Sequence, residues 1–147
     1  MRRWVHDCRR RRNERGMASM EAAVVLTAFM VFILIVVAAG RVSDARTAVH
    51  TAAGAGARAA SLERSAGAAR SAASKVAAAS LTNDSVACNP SVSTSTGGFS
   101  VRVGQPAQVS TTVRCTVRLG DLLVPGLPGS VSMSATQTSV LDRYRER

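Results

Sequence analysis

Few residues in this chain have both the type and the setting to do chemistry, and Glu21 is foremost among them. It stands at the front of the uncharged run AAVVLTAFMVFILIVVAAG, nineteen residues that end before Arg41. A carboxylate at the mouth of an apolar helix needs a reason, even at an interface, where its cost is lower than at a bilayer centre. The junction reads Arg15-Gly16-Met17-Ala18-Ser19-Met20-Glu21. Were the chain cut after Gly16, Met17 would carry a new α-amino group, one helical turn from Glu21. Amine and carboxylate could then pair within one chain or between staggered neighbours. In a bundle of such helices, that pairing would fix axial register and neutralise two charges in apolar surroundings. A plainer role is open to the same residue, since an acid near a helix start favours the positive end of the helix dipole.

The cysteines come next. Cys8 lies in an Arg-rich leader, where a thiol on the cytoplasmic side stays reduced. Cys88 and Cys115 form an even pair further on, spaced to close a loop of about 27 residues, which would stabilise a small domain by about 3–4 kcal/mol in the chain-entropy model. No CxxC and no neighbouring His supports a metal, so none is expected, and no cofactor either. His50 has only Asp44 near it in sequence and reads as a surface histidine. The carboxylates after Glu21 are Asp44, Glu63, Asp84, Asp121, Asp142 and Glu146, and none accompanies a nucleophile and a base. Ser and Thr are plentiful without a GxSxG elbow. Gly97-Gly98 lacks the Lys-Ser/Thr of a phosphate loop and reads as a turn. The chain is therefore expected to be no enzyme, and its aromatic content of 3% argues against a deep aromatic-lined pocket.

The element that positions Glu21 is the apolar run itself. As a helix it spans roughly 28 Å, close to the ~30 Å hydrocarbon core. A helix hydrophobic on all sides must be buried in a large core or in lipid, and 147 residues leave little else to wrap it. The run also exceeds the 7–15 residues of a secretory signal core, and Ala38-Ala39-Gly40 is followed by helix-favouring sequence instead of a break. Residues 1–16 carry seven Arg against Asp7 and Glu14. This block directly before the span predicts a cytoplasmic N-terminus and an extracytoplasmic remainder, in a single-pass protein of the cell membrane. The formal net charge of +10 does not point to nucleic acid, because the other twelve basic residues are scattered and lack interleaved aromatics.

Beyond Arg41 the chain reads as a continuation of the same helix to about Ser80, without proline and rich in Ala, with Gly54, Gly56 and Gly67 as weak points. Val42, Ala45, Val49, Ala52, Ala53, Ala60 and Ala69 make a small-residue stripe, leaving Arg46, His50, Arg64 and Arg70 wet. From Leu81 the pattern turns to β. Asn83-Asp84 and Asn89-Pro90 mark turns. Phe99, Val101 and Val103 alternate as one strand, and a turn follows at Gly104-Gln105-Pro106-Ala107. A cleaner strand puts Val109, Thr111, Val113, Cys115, Val117 and Leu119 on one face. Leu122 to Gly129 reads as a loop, and Val131, Met133 and Ala135 as a last strand. The expected fold is α+β, a transmembrane helix extended by a long Ala-rich helix and followed by a small antiparallel sheet of about three strands. Its expected segments are a leader (1–16), the span (17–40), the helical extension (41–80) and a small β domain with a tail (81–147).

The basic leader, Gly16, Glu21 as the fifth residue after it and the apolar helix together resemble type IV pilin-like proteins, and more closely the TadE-like family of tight-adherence pilus systems. Gly40-Arg41-Val42-Ser43-Asp44-Ala45-Arg46, then Gly56-Ala57-Arg58-Ala59-Ala60, look like that family's helix exit and Ala-rich continuation. The tail from Pro128-Gly129-Ser130 to Asp142-Arg143-Tyr144-Arg145 resembles its high-GC Gram-positive members more loosely. Two features depart from the pattern: Ala22 stands where Phe or Leu is common, and the run lacks the proline many members carry. The resemblance implies a pseudopilin, cut by a prepilin peptidase between Gly16 and Met17. It also implies that Glu21 serves assembly with other pilin-like subunits, the major pilin and an inner-membrane platform protein. The competing expectation is an uncleaved, signal-anchored binding module acting through its β domain.

Overall fold

The computed structural model describes residues 2–84, 86, 88–118, 120 and 128–144, with side chains from Ser19 onward. Helix α1 (Arg2–Leu62) is followed by α2 (Ala66–Asn83), strand β1 (Ser91–Ser95), a 3-10 turn (Gly97–Ser100), β2 (Ala107–Arg118) and β3 (Ser130–Leu141). The class is α+β, with a long N-terminal apolar helix and a three-stranded antiparallel sheet. The chain divides into two compact units, 1–39 and 40–147.

In the second unit the core is a helix pair packed on one face of the sheet. Along α1, Ala45, Ala48, Val49, Ala52, Ala53, Ala57 and Ala60 are buried, a stripe that recurs every three or four residues. Along α2, Ala69, Ala73, Ala77 and Leu81 repeat at intervals of four. The expected single helix from 41 to 80 is thus two. Ser65 ends the continuity: its backbone is extended (φ −134°, ψ 150°) and its hydroxyl accepts the Ala68 N–H at 3.2 Å, which satisfies an orphan donor at the start of α2. With side chains this small the helices approach closely. A Cβ added at Gly56 would lie 3.2 Å from the Ala73 carbonyl oxygen and 3.4 Å from the Ala77 Cβ. Ser139 on β3 ties down the end of α1 by donating to the Ser61 hydroxyl at 3.0 Å.

The sheet order is β1-β2-β3. Strand β2 behaves as its alternation requires: Ala107, Val109, Thr111, Val113, Cys115 and Val117 are all buried. Thr111 is fully buried, and its hydroxyl shares a 3.3 Å hydrogen bond with Thr94, which avoids the ~1–3 kcal/mol penalty of an unsatisfied group. Strand β3 extends past the expected Val131–Ala135 core to Leu141, paired with β2 without interruption from Arg118↔Ser130 to Ala107↔Leu141.

One strand lies elsewhere than expected. Phe99, Val101 and Val103 are not in a strand; β1 is Ser91–Ser95, with Val92 opposite Val113 and Thr94 opposite Thr111. Gly97 and Gly98 open the 3-10 turn, and Gly98 passes so close to β2 that an added Cβ would collide with the Gln108 carbonyl oxygen. That turn folds Phe99 against Ala60, Ala69, Ala73 and Val109, while Val103 stays exposed. The turn after it is present, with Gly104 at φ +88° and its N–H bonded to the Arg143 carbonyl at 2.8 Å. Leu119, Asp121 and residues 122–127 of the expected loop lie outside the described residues.

Candidate membrane-anchoring site

The first unit is helical through Gly16, Met17 and Glu21. The side chains of Gly16 and Met17, like that of Cys8, lie outside the described residues. From Ser19 to Val36 every described side chain is exposed, Glu21 included. The exposed set contains large apolar groups, with Leu26 at 68%, Phe29 at 58% and Phe32 at 60%. A core helix of a water-soluble domain would bury these groups, each contributing about 1.5–3 kcal/mol when removed from water. Here they cover every face, and no residue of the most apolar window is buried within the protein. The one helix long and apolar enough to cross a membrane, among the described residues, begins at Ser19.

Thr27 donates its hydroxyl to the Ala23 carbonyl at 2.8 Å, so the helix surface at this point is effectively apolar. Between Gly16 and Arg41 the only charged residue is Glu21. It stands at the first turn of the exposed apolar stretch, where a carboxylate can still reach water or meet a cation.

The model of the TadE-like protein family matches residues 16–58. Those residues are similar to the TadE-like family, and the match covers less than a third of the chain. The match begins at Gly16, takes in Glu21 and the apolar run, and ends on α1 among the buried alanines of the second unit. No curated protein and no solved structure matches the chain. The TadE-like match and the exposed apolar helix together are consistent with a pilus-related, membrane-anchored protein.

Outside the matched residues, the structure joins Cys88 and Cys115 in a disulfide, with Cα atoms 5.8 Å apart. Cys115 is buried on β2, and the bridge pins the segment after α2 to the sheet. Among the described residues no group of three or more His, Cys, Asp or Glu side chains converges as a metal site. His50 is exposed and lies 3.5 Å from the Gln137 amide, beside a shallow depression bordered by Arg46, Ser132 and Ser134. The outer sheet face is a field of hydroxyls, in which Thr112 and Thr136 are joined at 2.8 Å across the strands. The depression and the β1 position were not legible from the sequence, because both depend on which elements pack together.

Proposed function

We propose that this chain is a TadE-like pseudopilin, a non-enzymatic membrane-anchored subunit used in assembling a tight-adherence or related type IV-like pilus or secretion machine. The observation that carries the reading is a coincidence of position: the TadE-like match starts at Gly16, and the isolated acid of the apolar helix stands five residues later. In this reading the seven Arg of residues 1–16 hold the N-terminus in the cytoplasm, and the Cys88–Cys115 disulfide belongs to the oxidising side. A prepilin peptidase cuts between Gly16 and Met17. The new amine and Glu21 then pair between neighbouring helices, so that α1 joins the other pilin-like subunits in register. The major pilin and an inner-membrane platform protein are the remaining partners.

N-terminal sequencing of the chain extracted from membranes tests the cut. A start at Met17 is expected; an intact N-terminus would instead favour an uncleaved signal anchor that presents the sheet domain as a binding module. Glu21→Ala tests the role of the acid. Membrane insertion should be normal and assembly lost, whereas normal assembly in this variant would remove Glu21 from the mechanism.

A further inference from the structure

Cations gather where α1 enters the second unit. Arg46 and His50, four residues apart on α1, border the shallow depression between that helix and the first half of β3, with Ser132 and Ser134 on its other side. Strand β3 runs in the same direction as α1, since Gln137 meets His50 and Ser139 meets Ser61. The start of β3 is therefore level with the start of α1 in this unit, and two arginines of β2 stand beside it. Arg114 is opposite Ser134 and Arg118 opposite Ser130, both on the outer face of the sheet. Arg46, Arg114 and Arg118 are exposed, and none makes an ion pair with a carboxylate among the described residues. The acids described at this end lie elsewhere. Asp44 is two positions from Arg46 and so faces away from it, and Asp84 caps α2, which packs on the β1 side.

We propose that Arg46, His50, Arg114 and Arg118 hold the phosphate of an anionic phospholipid headgroup in and around this depression, tying the sheet domain to the surface of the bilayer that α1 crosses. Guanidinium forks match phosphate oxygens, and the hydroxyls of Ser132 and Ser134 add donors. Position selects a lipid as the occupant. Arg46 is five residues past Arg41, where the apolar run ends, or about 8 Å of helix rise, and the polar layer of a bilayer is roughly 5–8 Å deep on each side. Side chains on a helix lean toward its N-terminus, so Arg46 and His50 reach back toward that layer. An anionic surface attracts juxtamembrane cations within this short range. The site requires α1 as a membrane anchor but not the cut after Gly16.

Hydrogen exchange of the full chain in lipid nanodiscs tests the site. Discs of phosphatidylcholine alone are compared with discs in which a third of the lipid is phosphatidylglycerol. Strand β3 is paired along one edge only, so its outward amides exchange readily unless something covers them. Exchange across residues 130–135 should slow several-fold in the anionic discs, while β1 is unchanged. Combining Arg46→Gln, Arg114→Gln and Arg118→Gln should abolish the difference. Combining Arg58→Gln, Arg64→Gln and Arg102→Gln, toward the opposite end of the unit, removes the same charge and should preserve it. Equal exchange in the two discs, a slowing that survives the first three substitutions, or one that the second three also remove would overturn the proposal. The same slowing by inorganic phosphate in neutral discs would assign the site to a dissolved anion and overturn the lipid as occupant. Co-elution of the chain with neutral discs reports the membrane anchor by itself, so failure of the anchor and failure of the site are told apart.

Discussion

Gly54 and Gly56 are two residues apart on α1, and the structure assigns them opposite responses to substitution. An added Cβ at Gly54 finds its nearest neighbour, the Gln137 Cγ, at 4.0 Å. Ala there fits, and it removes the backbone-entropy cost of a mid-helix glycine, a gain of about 0.5–1 kcal/mol. At Gly56 the same Cβ lies 3.2 Å from the Ala73 carbonyl oxygen, 3.3 Å from the Thr111 methyl and 3.4 Å from the Ala77 Cβ. Two of these contacts belong to α2 and the third to a fully buried residue of β2. Gly56→Val adds two further methyl groups where even the first carbon is tight. Overpacking of this kind costs about 1–3 kcal/mol, more than the small propensity gain offsets. The two variants should therefore differ by about 1.5–4 kcal/mol. For a unit of this size each kcal/mol moves Tm by roughly 4–8 °C, so the separation should be on the order of 10 °C or more. Thermal unfolding of the full chain in detergent, followed by circular dichroism, measures it. Were residues 41–80 one helix standing free of partners, both substitutions would be neutral or stabilising. A Gly56→Val protein as stable as Gly54→Ala would refute the packing of α2 against α1.

Other perturbations follow from the same contacts. Replacing both Cys88 and Cys115 with Ser opens a loop with a sequence separation of 27. It should lower stability by about 3–4 kcal/mol in the chain-entropy model, read as a shift in urea midpoint; a change below about 1 kcal/mol would mean the bridge closes a segment already held by packing. Ser65→Ala removes the hydroxyl that accepts the Ala68 N–H and should cost about 1 kcal/mol, with faster hydrogen exchange confined to the first turn of α2. Glu21→Ala should leave insertion intact and stop assembly.

The sequence alone determined the apolar span, β2 and the first half of β3, because each depends on a local repeat and on solvent. Nineteen uncharged residues are insoluble in water whatever surrounds them, and the exposed side chains from Ser19 to Val36 need no partner to establish that. The alternation from Val109 to Val117 likewise sorts its own faces. Tertiary structure decided the rest. The Ala-rich stretch has nearly uniform side chains, so its sequence says helix without saying where to turn back; the cap at Ser65 and the close fit at Gly56 set that point. The choice of Ser91–Ser95 over Phe99–Val103 as β1 was also non-local. One strand offered Val92 and Thr94 to β2, whereas the other would have withdrawn Phe99 from the pocket between the helices and Val109. The Cys88–Cys115 pair was legible as the even pair after the span, but its place, tying the segment after α2 to β2, exists only once those placements are made.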